Sequence, residues 1–335
     1  MGVGKRRAVT SADVAREVGL SRTTVSFVLN DTPHQRIPEE TRQKVLAAAS
    51  KLGYAPSAAA RALASGRSDV VLYLLPDWPV GATAGSLLEY LSAAFEAGGF
   101  AFVVHPKAHT TRPLSQLWTN ITPAAVLAFE DFTDEELARM RAAGIQATVA
   151  MFGRTAGKVG GLTIAEQRVG RLQVEHLAAT GHRTIGYAYP DDARLHHPAA
   201  PRFDGVRKAC VDLGVDEPGR TTVTLTIESA LAAVRAFREA IPRVTAVCAY
   251  NDDVALALLA ACRHLNVSVP DELALIGVDD VPAAAFSTPP LTTVTHDVPA
   301  LAKHLADSVI RTLAGRPQRR RLPAYAPQLV QRATA

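Results

Sequence analysis

At 335 residues the chain is long enough for roughly two or three structural units with sizeable cores, and its 48% hydrophobic and 20% charged content exclude a disordered chain. No run of about 18 apolar residues is present to cross a membrane, and three cysteines without metal-like spacing, Cys210, Cys248 and Cys262, exclude a disulfide framework and fit reduced thiols. The net charge of +4 is uneven: residues 1–67 hold 11 Lys and Arg against 5 Asp and Glu, and the rest holds 25 against 27, a basic head of the kind that marks a nucleic-acid module.

Residues 9–30 read as two short helices joined by a tight turn, a unit able to lay its second helix in a DNA major groove. Thr10 and Asp13 form a capping box that starts the first helix at about Ser11. Val14, Ala15 and Val18 give it an apolar face, and Gly19 ends it. Ser21 caps the second helix, which turns Val25, Val28 and Leu29 inward. Arg22, Thr23 and Ser26 face outward as short or forked donors suited to phosphates and base edges. The same pattern also fits a plain helical hairpin with a polar outer face. Residues 38–52 read as a third helix, with Pro38 in its first turn and Val45, Leu46, Ala49 and Leu52 inward. Residues 53–68 are alanine-rich with little to bury, a candidate for folding on a partner. The domain limits are therefore 1–53, 54–68 for a hinge and linker, and 69–335.

Beyond residue 68, strands are predicted over 70–75, 100–105, 124–129, 146–151, 184–189, 244–250 and 273–278. Helices are predicted over 87–97, 134–143, 167–179, 202–213, 227–240 and 253–265. This alternation means parallel sheets covered by helices, in one sheet or two, with ligands at the carboxyl ends of the strands. Arg202 follows a loop rich in proline and histidine and offers a fork of donors. Asn251 with Asp252, and Asp279 with Asp280, follow strands; such residues either line a cleft or cap helices and tie down loops. Trp78 follows the first core strand, as a stacking surface or as part of a lid. No enzyme is indicated: no glycine fingerprint follows a strand, no nucleophile elbow is present, and His196-His197 lacks a metal-ligand partner at useful spacing. The expectation is no catalytic residue, no metal and no cofactor.

Several motifs occur in a fixed order. They are DVA, GLS, TTVS, LN, ETRQKV, LGY-x-P and AARAL, then GHRTIGY at 181–187, RFDGVRKA at 202–209, YND at 250–252, VPDELALIGVDD at 269–280 and PPLTTV at 289–294. In these the chain resembles the lactose-repressor (LacI/GalR) family of bacterial transcription factors. The resemblance implies an N-terminal all-α helix-turn-helix domain. After it comes an α/β core of two doubly wound parallel-sheet subdomains, periplasmic-binding-protein-like, joined by three crossovers around a ligand cleft. It implies a cytoplasmic, nucleoid-associated homodimeric regulator, most simply a repressor, on a pseudo-palindromic double-stranded DNA operator. Arg22 and Thr23 would read bases; Thr10, Ser21, Ser26 and Asn30 would meet phosphates, and Phe27 would also lie at the DNA. Ala60 and Leu63 would lie in a hinge helix at 56–64, with Leu63 wedged into the minor groove. Arg202, Asn251 and Asp279 would hold a small-molecule effector, a sugar or related metabolite. His296 stands where the family often has glutamine, and Trp78 is a further contact.

Three departures from the family pattern matter, two at the effector site and one on the recognition helix. Ala165-Glu166 stands where the family usually has an aspartate–asparagine pair, Trp78-Pro79-Val80-Gly81 replaces an aromatic lip, and Phe27 replaces a polar residue near the end of the recognition helix. No leucine heptad follows Leu329, so a dimer is expected rather than a tetramer. The rival reading is a solute-binding protein of the same core fold. It would need an export signal, which the N-terminal sequence is not expected to supply.

Overall fold

A computed structural model describes residues 9–29, 35–54, 68–107, 117, 121–151, 161–316 and 327–335, with side chains of the helix that begins at Gly161 described from Glu166 onward. Asn30, Ala60, Leu63 and the expected hinge at 56–64 lie outside the described residues. The chain divides into two units, Met1–Asp69 and Val70–Ala335.

In the first unit α1 (Ser11–Val18), α2 (Arg22–Leu29) and α3 (Glu39–Leu52) share one apolar core. The α1 start is fixed by Asp13, whose carboxylate accepts from the Thr10 N–H at 2.9 Å and the Thr10 hydroxyl at 2.7 Å. Gly19 closes α1 at φ +70°, a left-handed turn that a Cβ disfavours. Val14, Val25 and Val45 meet at the centre, each fully buried. One expectation fails in α3. Leu46 is 43% exposed, and Ala48 is buried beside Val45 and Ala49 instead. At 100° per residue Leu46 turns off the stripe that Val45, Ala48, Ala49 and Leu52 share. Pro38 is the residue that caps α3 rather than part of its first turn.

The second unit carries two four-stranded parallel sheets. The first comprises β1 (Val70–Leu75), β2 (Ala101–Pro106), β3 (Ala125–Ala128) and β4 (Ala147–Ala150), in the order β2-β1-β3-β4. Along β1 the side chains alternate. Val71 and Tyr73 face α4 (Ala82–Ala97), while Leu72 and Leu74 share a core with Met140 of α5 (Asp134–Ala142). The second sheet is reached through α6 (Gly161–Ala179) and contains β5 (Ile185–Pro190), β6 (Gly219–Val223), β7 (Ala246–Ala249) and β8 (Ala274–Ile276), in the order β6-β5-β7-β8. Helices α6 and α7 (His196–Leu213) cover one face; α8 (Ile227–Glu239) and α9 (Asp252–His264) cover the other.

After a short α10 (Pro282–Phe286) and β9 (Thr293–Thr295), the chain returns to the first sheet as α11 (Val298–Leu313). There Leu301, Leu305 and Val309 pack with Leu91 and Phe95 of α4. It ends as β10 (Gln328–Val330), antiparallel to β9. The same strand order in both sheets puts a direction change at β1/β3 and at β5/β7, which opens a crevice at the carboxyl ends of those strands.

The structure corrects one element that matters for the site. Helix α7 begins at His196, not Arg202, so Arg202 sits in its second turn. Pro198 falls in the first turn, where a missing N–H is tolerated, and Pro201 lies inside the helix. The proline-rich stretch read as a loop is therefore helix. Helix α4 starts at Ala82, before the predicted 87, and β6, α10, β9, α11 and β10 were not among the predicted elements.

Candidate nucleic-acid interface and ligand cavity

The outer edge of α2 is built by its cap. The Ser21 hydroxyl accepts the Thr24 N–H at 3.0 Å and lies 2.9 Å from the Thr24 hydroxyl. That cap satisfies one of the free N–H groups at the start of the helix and holds its first turn open to solvent. Arg22 and Thr23 are exposed there, and Ser26 and Phe27 are half-buried. Arg22 has no hydrogen bond or ion pair with a described residue, so its donors are free. Thr10 differs, because its hydroxyl is already engaged with Asp13.

The second unit encloses a cavity of about 370 Å³ at the carboxyl ends of both sheets. Trp78 and Phe129 reach it from just beyond β1 and β3, with ring centroids 4.5 Å apart. Tyr250 and Asn251 reach it from the end of β7, Asp279 from beyond β8 and His296 from beyond β9. All five residues expected to meet a ligand, Trp78, Arg202, Asn251, Asp279 and His296, line this one cavity.

Their local bonding separates them. Asn251 caps α9, its Oδ1 accepting the Val254 N–H at 3.0 Å, while still lining the cavity. Asp252 is a structural tie: its fully buried carboxylate accepts the Thr293 hydroxyl at 2.6 Å and the Val281 N–H at 2.9 Å. Asp280 pairs with Arg332 at 2.7 Å. The loop-tying alternative describes both of these residues.

Arg202 is buried at 4% exposure, and its Nε and Nη2 both meet Glu166 Oε2, at 2.7 Å and 2.5 Å. Its Nη1 donates to the Tyr250 carbonyl, and its guanidinium lies 4.8 Å from the centre of the Tyr250 ring. Burial opposes its charge, but Glu166 more than offsets this and holds its pKa above the ordinary arginine value. From the sequence, the Ala165-Glu166 departure means a carboxylate ligand either missing or supplied from a different angle; Glu166 does supply a carboxylate, and Arg202 holds it. Two glycines make the pairing possible. A Cβ on Gly170 of α6 would lie 2.1 Å from the Arg202 carbonyl oxygen, and one on Gly205 of α7 would lie 2.0 Å from the Gln167 carbonyl oxygen. The two backbones therefore cross almost in contact, which brings Glu166 to Arg202.

Asp279 adopts φ +107°, outside the usual range for a residue with a Cβ. Burial pushes its carboxyl up to about 7, although the nearby Arg202 works the other way. Burial lowers His296 to about 4 and keeps the ring neutral near pH 7.

Residues 10–57 match the profile of bacterial regulatory proteins, lacI family, and residues 174–335 match that of the periplasmic binding protein-like domain. The HTH-type transcriptional regulator GntR of Pseudomonas aeruginosa is 28% identical over 92% of this chain and 90% of its own length. The regulator GalR of Escherichia coli is 28% identical over 96% and 94%. Residues 10–57 thus carry the DNA-binding domain of the lacI family of bacterial regulatory proteins, and residues 174–335 carry a periplasmic-binding-protein-like domain. The relatives that match it over nearly its whole length are named transcriptional regulators of the helix-turn-helix type. Among solved structures, the lac repressor dimer bound to operator and the anti-inducer ONPF matches its fold with a TM-score of 0.77 at 22% identity, over 98% of this chain and 99% of that one. The regulator CelR in complex with cellobiose matches with a TM-score of 0.64 at 24% identity, over 98% and 100%. The two-subdomain core is thus the fold of the family. Among the described residues no helix is long and apolar enough to cross a membrane.

Proposed function

We propose that this lacI-family regulator is an effector-controlled repressor that binds a pseudo-palindromic operator as a homodimer. The observation that carries the reading is the pairing, in one chain, of a capped recognition helix with free Arg22 donors and a cavity at the crevice of two parallel sheets. Two-fold protein symmetry matches two half-sites, each read by one α2 in a major groove. Arg22 and Thr23 contact base edges; Ser21, Ser26 and Asn30 contact phosphate, as does Thr10 through its oxygen lone pairs. Residues 54–68 form the hinge, with Leu63 as a wedge between base pairs and Ala60 beside it. Trp78, Arg202, Asn251, Asp279 and His296 line the effector site. Effector occupancy rotates one subdomain on the other and changes operator affinity, a coupling typically worth about 1–3 kcal/mol. The place of action is the cytoplasm, at the nucleoid.

The test is a gel shift on DNA from upstream of the protein's own gene, repeated with single-base operator variants. Arg22→Ala is expected to relax preference at one position per half-site, by about 1–3 kcal/mol for the correct base. Leu63→Ala is expected to weaken the operator complex without unfolding the protein. A uniform loss over all sequences with a shallower salt dependence would move Arg22 from base to phosphate. Tight solute capture with no DNA binding would replace the repressor reading by the solute-binding one.

A further inference from the structure

The cavity is acidic and apolar rather than basic. Among the described residues that line it, Arg202 is the one Lys or Arg, and four carboxylates line it too: Glu166, Asp192, Asp253 and Asp279. The single positive charge is already taken, since Glu166 binds two of the guanidinium nitrogens and the Tyr250 carbonyl a third. Asp192 in turn is held by Arg194 at 2.6 Å. Asp253 and Asp279 are left over; Asp253 is exposed to solvent, so Asp279 is the one that matters to a ligand. Its carboxylate has no hydrogen-bond or ion-pair partner among the described residues, and its left-handed backbone is held in place where its N–H donates to the Val294 carbonyl at 2.8 Å. A non-glycine residue kept in that conformation at a cavity wall is a mark of function. Thr83, Thr224, Asn251 and His296 add polar points. The broad walls are flat or aliphatic, with Trp78 and Phe129 on the first-sheet side and Leu195, Pro198 and Leu225 on the second.

We propose that the cavity takes a small molecule with a flat apolar body and a nitrogen that donates hydrogen bonds, neutral or protonated, seated on Asp279, and that it rejects carboxylates and phosphates. This rests on reading the cavity as the effector site, and names the class of effector. An N–H donor binds the ionised form of Asp279 through a charge-assisted hydrogen bond, stronger than a neutral one, and so favours that form. The ring of such a molecule has the aromatic and aliphatic walls to bury against. An anion meets the opposite situation. It faces the Asp279 carboxyl, which has no hydrogen-bond partner among the described residues, and to reach Arg202 it must break a buried ion pair and strand Glu166. The Ala165-Glu166 departure from the family pattern therefore has a physical meaning: this chain carries its own counter-ion for Arg202.

The test is a thermal-shift and titration panel in which one aromatic ring is presented as an amine, an alcohol and a carboxylate, for example phenethylamine, 2-phenylethanol and phenylacetate, with indole as a neutral N–H heterocycle, alongside neutral sugars and sugar phosphates. Amines and N–H heterocycles are expected to stabilise the wild type most. Asp279→Asn is expected to weaken the amine hits by about tenfold or more, the loss of one charge-assisted contact. Glu166→Gln, which frees the arginine, is expected to raise affinity for the matching carboxylates while the amines gain nothing. Carboxylates or phosphates as the tightest wild-type ligands, sugars as the only ligands, or amine hits indifferent to Asp279→Asn would each overturn the proposal and leave the effector site standing. If no compound of any class shifts the melting point or operator binding, the effector-site reading itself falls.

Discussion

Asp279 keeps its proton at a pH where an ordinary aspartate has lost it, because burial raises its pKa from 3.8 to about 7. Between those values the folded chain holds a proton that the unfolded chain has released, so stability falls as pH rises through that window. Asp279→Asn removes the penalty, and asparagine tolerates the left-handed backbone. The variant should therefore melt higher than wild type at about pH 8, with the gap closing toward pH 4; equal melting points at both ends would show that the carboxylate is not desolvated. His296 runs the other way. Its pKa falls from 6.5 to about 4, so its contribution is complete above 6.5 and is lost as pH drops toward 4. Removing one member of the buried pair strands the other. Arg202→Met should cost about 3–5 kcal/mol in urea unfolding, and adding Glu166→Met should recover most of it. Additive losses in the double variant would mean that the two side chains are not coupled. Arg202 was legible in the sequence from its motif, although the loop expected before it is the first turn of α7. Its partner stands 36 residues away and is brought near by a helix crossing that no local pattern encodes.

At the scale of elements, that crossing depends on two positions with no side chain. Gly170→Ala would press a methyl group against the Arg202 carbonyl, a backbone atom that cannot swing aside. The expected loss is at least about 1–3 kcal/mol, the usual penalty of overpacking, accompanied by a weaker ligand response as Glu166 shifts from Arg202. Circular dichroism melts and ligand titration check both, and wild-type behaviour would mean that α6 and α7 slide apart freely. Period and punctuation made most strands and helices legible, since β1, β3 and β7 are short apolar runs bounded by turn residues. The start of α7 was hidden by Pro198 and Pro201, which read as loop residues until the first turn is seen to accommodate one of them. Strand β6, GRTTV, is largely exposed along its length and so lacks the apolar run that marks its neighbours.

At the scale of the whole core, periodicity left open whether there was one sheet or two, and the family resemblance supplied two. The two sheets meet across the cavity, and one ion-pair network ties its mouth. Arg194, just beyond β5, binds Asp192 at 2.6 Å and reaches Asp77, just beyond β1, at 3.4 Å. These groups are about half exposed, so the tie is weak and screened by salt. Asp77→Ala should speed ligand release a few-fold at low salt and have no effect at high salt, measured by stopped-flow. An unchanged low-salt rate would show that closure does not involve this bridge.

Helix α11 leaves the ribosome last among the pieces of the first-sheet core, although β1 to β4 emerge about 150 residues earlier. At typical synthesis speeds that gap lasts roughly 7–30 s. Throughout it, the face of β1 and α4 that Leu301, Leu305 and Val309 will cover stays bare, and it is covered only by contacts of long sequence separation. The nascent regulator therefore passes through an interval in which its head can fold on local contacts while half of its core is sticky. A chain stopped before Val298 should bind a dye that reports exposed apolar surface, and the full-length chain should not; equal dye binding by the two would show that the face is sheltered without its last helix. Chaperone capture at that stage, rather than operator affinity, would then set how many active regulators a cell obtains from each message.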